Sequence, residues 1–277
     1  MDVKTIVITG ASDGIGAAAA RELSARGHQV IVVGRSPTKA AALGEAIGAP
    51  VHTADFADLA QVRRLAAELL ARYPVIDVLA NNAGGIFGAR ERTVDGFEKT
   101  FQVNHLAPFL LTHLLRPRLL ESRATVINTS SIAARMWGAL DLDDLNLTQN
   151  FSARRAYGTS KLENILFTIE LQRRLGASGI SAVAFHPGTV ATNFASDSTS
   201  LIRLAFHTPL KYLAGFVQPE QGARQLIWFA DTVPGQSWQP GAYYVKGRIA
   251  TLPPSARRPM IASELWERSE AMLGITS

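Results

Sequence analysis

Cysteine is absent from the 277-residue chain, which excludes disulfides, thiolate nucleophiles and thiolate metal sites together. The six histidines show none of the spacings of metal-binding motifs, so no metal is expected. No apolar run reaches the roughly 18 to 20 residues that span a bilayer, and no signal peptide opens the chain. The expectation is a cytoplasmic protein without a transmembrane segment. Basic residues outnumber acidic ones 28 to 23, but the excess is scattered as pairs such as Arg63/Arg64, Arg154/Arg155 and Arg257/Arg258. Scattered pairs read as solvated helix faces, which argues against nucleic acid as a partner. Low-complexity segments, short repeats and linkers are also missing, so a single domain over 1–277 is expected.

What the chain does contain is alternation. "KTIVITG" (4–10) is a β-branched apolar run ending in glycine, and 16–27 then carries helix formers closed by a glycine cap. Further strands are expected at 29–35, 49–56, 75–84, 124–131 and 180–188. Helices are expected at 37–47, 58–74, from Asp95 to about Leu120, and from Ala153 to Leu175. A last strand at "GAYYVKG" and a C-terminal surface helix complete the pattern. Strands this uniformly apolar are buried on both faces, which predicts an α/β fold, a doubly wound parallel sheet of about seven strands flanked by helices. Ligands of such sheets sit beyond the carboxyl ends of the strands.

At the first strand end lies "TGASDGIG" (9–16). Glycines at 10, 14 and 16 permit a tight turn, close approach of a pyrophosphate and close helix packing. "AYGTSK" (156–161) sets Tyr157 and Lys161 four residues apart, about one helical turn, so both side chains leave one face. An ammonium about 4 Å from a phenolate is worth about 4 kcal/mol at an effective dielectric near 20, or about three pKa units. Lys161 is therefore expected to depress the phenol of Tyr157.

The spacing G-x-x-x-G-x-G, with "NNAG" at 81–84, Asn104, Ser131, Tyr157, Lys161 and "HPGTVAT" at 186–192 in that order, resembles the short-chain dehydrogenase/reductase family. The insert between Ser131 and Tyr157, including "LDLDDLN" (140–146), is similar to its retinol-dehydrogenase-like branch. The resemblance implies a Rossmann fold and an oxidoreductase that moves hydride between a nicotinamide and a CH–OH or C=O group. It implies Tyr157 as proton donor or acceptor, Lys161 on the nicotinamide ribose, Ser131 on the substrate oxygen, and Asn104 binding a relay water. For the dinucleotide it implies Gly10, Ser12, Asp13, Gly14, Ile15, Gly16, Asp55, Phe56, Asn82, Ala83 and Gly84. Tyr157, Lys161, Pro187, Gly188, Val190 and Thr192 complete that set. A homodimer or homotetramer is also implied.

The second strand ends in Gly34 and Arg35 where an acid would favour NAD; a guanidinium can pair with a 2′-phosphate, so NADP(H) is expected over NAD(H). Residues 193–218 are expected to form a substrate lid whose apolar and aromatic content suits an apolar or aromatic carbonyl or alcohol. Trp137, Trp238 and Tyr243 either line the same cleft or pack in the core. Two other readings compete: the same fold catalysing double-bond reduction or dehydration, and a dinucleotide-sensing regulator without turnover.

Overall fold

The computed structural model describes residues 2–188 and 217–275. Val190, Thr192 and positions 193–216 of the expected lid lie outside the described residues. Strands β1 (Thr5–Thr9), β2 (Gln29–Gly34), β3 (Val51–Thr53), β4 (Val78–Asn81), β5 (Thr125–Thr129), β6 (Ser181–His186), β7 (Tyr243–Val245) and β8 (Arg248–Ile249) form one sheet. Their order is β3-β2-β1-β4-β5-β6-β7-β8, parallel throughout except for the β7/β8 pair. The eighth strand corrects the expected single last strand. Lys246 and Gly247 both take positive φ, 51° and 73°, the two-residue turn that folds a hairpin back on itself.

Alternation along each strand sorts the core into two layers. Ile6, Ile8, Val30, Val32, Val78 and Ala80 face α1 (Gly14–Ala25), α2 (Pro37–Ile47) and α8 (Pro219–Asp231). Val7, Ile31, Val33, Leu79 and Val126 face α3 (Leu59–Arg72), α5 (Ala107–Glu121) and α7 (Ala153–Leu175). Both faces of the sheet are covered, as uniformly apolar parallel strands require.

Three expectations change. The helix expected from Asp95 begins instead as α4 (Lys99–Phe101), because Thr93 to Glu98 form a turn with Gly96 at φ +87°. Glu98 caps it, its carboxylate accepting from the N–H groups of Thr100 and Phe101 at 2.9 and 2.8 Å. Asp95 serves elsewhere, accepting from the Leu59 N–H at 2.9 Å and from Gln102 Nε2 at 2.8 Å. Between α4 and α5 the chain makes a π-helical turn, Gln102–Leu106, that the sequence did not announce.

The third strand is shorter than 49–56, since the Asp55 N–H is taken by Gln61 Oε1 at 3.0 Å and its own Oδ1 accepts from the Ala57 N–H. The C-terminal helix α9 (Ile261–Leu273) is no mere surface helix. It buries Ile261, Leu265, Trp266 and Leu273, with the Trp266 ring 4.7 Å from Phe109. Trp238 packs against Phe229 at 5.5 Å, and Tyr243 is buried in the layer that includes α7.

Candidate active site

At the switch point where the strand order reverses between β1 and β4, one side chain pins the two strand ends. Thr9 Oγ1 donates to the Ala80 carbonyl (3.1 Å) and accepts from the N–H groups of Asn82 and Ala83, both at 3.0 Å. Asn82 Nδ2 returns a bond to the Thr9 carbonyl at 3.0 Å. The glycine loop curls over this crevice with Gly10 and Gly14 at φ +65° and +53°, and Asp13 caps α1 through a 2.8 Å bond from the Gly14 N–H. A Cβ on Gly16 would lie 2.4 Å from the Gly10 carbonyl and 2.7 Å from Asn82 Nδ2. Gly16 therefore permits helix α1 to seat, and does not itself face the cleft.

The cleft above these strand ends has a volume of about 1120 Å³, beyond the roughly 300–1,000 Å³ of a single small-molecule site. Gly10, Ser12, Asp13, Gly14, Ile15, Arg35, Asp55, Phe56, Asn82, Ala83, Gly84, Ser131, Tyr157, Lys161, Pro187 and Gly188 all line it. Of the expected residues described, only Gly16 and Asn104 stand behind its wall.

Tyr157 and Lys161 project from α7, a helix whose start is fixed by Ser152 accepting from the Arg155 N–H at 3.2 Å. Lys161 is 2 % exposed. Its Nζ lies 5.6 Å from the Tyr157 ring centroid and donates to the Thr129 carbonyl at 3.2 Å. Burial pushes the Lys161 ammonium down to about 7. Burial likewise pushes the Tyr157 phenol above its ordinary range, against a hydrogen bond with Ser131 that pulls it down.

This reverses the expected depression of the phenol by Lys161. Both groups are withdrawn from water, which disfavours the charged form of each. The result is a phenol held as an acid and an amine poised near neutrality.

The two serines after β5 have different surroundings. Ser130 Oγ donates to the Lys161 carbonyl at 2.7 Å and its N–H to the Phe185 carbonyl at 2.8 Å, which ties β5 to α7 and β6. Ser131 stands in the cleft with its Oγ accepting from the Ala133 N–H at 3.2 Å.

Asn104 sits in the π turn, fully buried. Its Nδ2 donates to the Gly85 carbonyl and to Ser160 Oγ, both at 2.9 Å, and its Oδ1 accepts from the Gly85 N–H at 2.9 Å. Ser160 Oγ in turn donates to the Tyr157 carbonyl at 2.9 Å. Asn104 thus clamps Gly85, the residue after "NNAG", to the helix that carries Tyr157. A π turn is a recurrent device for presenting a side chain at a functional site.

Several lining residues escaped the sequence. Lys39 reaches from α2 to within 2.9 Å of Asp13 Oδ2, placing a cation beside the glycine loop. Phe87, Lys99, Ile132, Met136 and Arg154 line the cleft as well. Lys39 had a sequence signal, one turn past the Ser36 cap that follows Arg35. Arg154 had one too, three residues before Tyr157 on the same helix; the others had none, since their place depends on how α4 and the short helix α6 (Ala133–Met136) pack.

The residues fit a dinucleotide. Gly84 has no side chain where a Cβ would meet Asn104 Oδ1 at 2.8 Å and Lys161 Nζ at 3.2 Å. Lys161 uses one of its three N–H donors on Thr129. The rest are left for hydroxyl groups arriving in the cleft.

The short chain dehydrogenase family matches residues 4–201. The chain belongs to that family. Within it the chain sits in the retinol-dehydrogenase-like branch. It is 37% identical over 294 residues to retinol dehydrogenase 14 of Mus musculus, covering 99% of this chain and 87% of the relative. A Streptomyces sp. (strain C5) protein provisionally named daunorubicin C-13 ketoreductase is 41% identical over 281 residues, covering 99% and 94%.

Among solved structures, an uncharacterised protein of Mycobacterium paratuberculosis superposes with TM-score 0.78 at 35% identity, covering 98% of this chain and 94% of that one. The Pseudomonas aeruginosa RhlG/NADP active-site complex follows with TM-score 0.69 at 25% identity, covering 87% and 93%. This short-chain dehydrogenase is an oxidoreductase acting on CH–OH or C=O groups with NAD(P). No helix among its described residues is long and apolar enough to cross a membrane.

Proposed function

We propose that this enzyme is an NADP(H)-dependent carbonyl reductase for apolar or aromatic ketones and aldehydes. The observation that carries the reading is the convergence of Ser131, Tyr157 and Lys161 on one cleft with the glycine loop. The nicotinamide, when bound, supplies the hydride. The loop residues from Gly10 to Ile15, the Asn82–Gly84 turn and the Pro187–Gly188 segment would hold it, with Lys161 on its ribose, Asp55 and Phe56 near its adenine, and Val190 and Thr192 adding to the site.

At the substrate carbonyl, Ser131 Oγ donates a hydrogen bond where negative charge develops. Tyr157 Oη delivers the proton to the same oxygen. A phenol whose pKa is raised by burial carries that proton at neutral pH, as the reduction step requires. Asn104 keeps Tyr157 in register through Ser160, and the relay-water role assigned to it by resemblance belongs to this reading. General acid–base groups of this kind contribute about 10²–10⁴ in rate.

NADP(H) over NAD(H) is supported by three features: Gly34 and Arg35 at the end of β2, Lys39 on the same rim, and the NADP complex of the related fold. An apolar or aromatic substrate is supported by the exposed side chains of Ile132, Met136 and Trp137 in the lining of the cleft. The test is oxidation of NADPH and NADH over a panel of aliphatic, aromatic, steroid and retinoid ketones and aldehydes. Wild type should consume NADPH with the higher kcat/KM, and Tyr157→Phe should lose at least about a hundredfold. Near wild-type turnover by Tyr157→Phe would end the mechanism, and a higher kcat/KM with NADH would end the cofactor assignment.

A further inference from the structure

Four cationic side chains line the cleft besides Lys161: Arg35, Lys39, Lys99 and Arg154. Lys39 is paired with Asp13 at 2.9 Å and Lys99 with Glu91 at 2.7 Å. Arg35 is already assigned, in the reading above, to the 2′-phosphate of the dinucleotide. Arg154 differs: among the described residues no carboxylate pairs with it. Its guanidinium stacks over the Trp137 ring at 5.8 Å from the centroid, close to the limit of about 6 Å for a cation–π contact.

Arg154 precedes Tyr157 by three residues on α7, so the two side chains emerge on adjoining parts of one helix face. The neighbouring wall is apolar. Ile132, Met136 and Trp137 are 37%, 60% and 37% exposed, an unusual share of open hydrophobic area to leave beside a reacting group.

An apolar aromatic wall with a planar cation at its rim, one that no described carboxylate pairs, is the complement of an amphipathic molecule. We infer that the substrate is a flat aromatic ketone or aldehyde carrying a remote acid group, a carboxylate above all. The ring lies on the Ile132–Met136–Trp137 wall, the acid meets Arg154, and the carbonyl reaches Ser131 and Tyr157. Arginine suits this task better than lysine, because a planar guanidinium stacks on an indole while its N–H fork still faces a carboxylate. This inference rests on the carbonyl-reductase reading and deepens it.

The test compares 6-acetyl-2-naphthoate with its methyl ester, which share ring and ketone but differ in charge. With wild type and NADPH at low salt the acid should show kcat/KM about fivefold above the ester, the size of an exposed ion pair. The ratio should fall towards one as ionic strength rises. In Arg154→Gln the acid-to-ester ratio should collapse to about one, and Arg154→Lys should keep part of it. Calorimetric titration of both compounds into wild type and Arg154→Gln gives the same ratio as dissociation constants, independent of turnover.

An acid no better than its ester, or an advantage that survives in Arg154→Gln, overturns the inference and leaves the reductase reading intact. No NADPH oxidation with either compound or across the wider panel overturns the reductase reading instead, and calorimetry still decides the charge preference.

Discussion

Replacing Lys161 by methionine should make this protein more stable while it destroys the activity. The ammonium is 2 % exposed, and burial brings it from 10.5 to about 7. At about 1.36 kcal/mol per pKa unit, charging that amine inside the fold costs about 5 kcal/mol, an upper bound because local relaxation softens it. The unfolded chain binds the proton up to about pH 10.5 and the folded chain only up to about 7. Stability therefore rises with pH through that window and carries the whole penalty below it.

Methionine has similar bulk and no charge. The Thr129 carbonyl that loses Lys161 still accepts from Asn164 Nδ2 at 3.2 Å, so no buried acceptor is orphaned. Urea unfolding at pH 6, 8 and 10 should show Lys161→Met ahead by a few kcal/mol at pH 6, by less at pH 8, and nearly level at pH 10. A variant no more stable than wild type at pH 6, or a lead that does not change with pH, would refute the reasoning.

His105 should govern part of the acid limb of stability. Burial among Phe101, Phe109 and Phe167 lowers it to about 3, so going from pH 7.5 to 5 should cost about 2 kcal/mol through this residue; His105→Phe should flatten that slope in pH-dependent urea midpoints. Gly84→Ala would set a methyl 2.8 Å from Asn104 Oδ1 and 3.2 Å from Lys161 Nζ. It should lower melting stability by about 1–3 kcal/mol and weaken dinucleotide binding measured by calorimetry.

The parts of this protein that read directly from its residues are those with local causes. Helix α7 runs from Ala153 to Leu175 as expected, because Ser152 supplies its cap and a 23-residue periodic stretch leaves little freedom. The glycine loop was legible for the same reason, since Gly10 and Gly14 occupy conformations that other residues resist. The start of α4 was not, because the turn before it is held by contacts distant in sequence, Asp95 accepting from the Leu59 N–H of α3 and Asn146 Oδ1 accepting from the Glu98 N–H. Nor was the ionisation of Tyr157 and Lys161. Four-residue spacing fixes their separation, whereas the cost of burial is set by everything packed around them. Met136 joined the cleft only through the placement of α6, which no local pattern encodes.

The wide turn at Gln102–Leu106 has a consequence for how such a site can change. A π turn closes its bonds five residues back, not four, so it accommodates one more residue per turn than the regular coil. Removing a single residue there would yield a better-wound helix whose flanking turns keep their phase, since the extra residue is what the wide turn absorbs, yet would move the Asn104 amide off Gly85 and Ser160. The regularity of this segment and the alignment of Tyr157 therefore oppose each other, and a length change at this one place would switch off chemistry while leaving the architecture in place.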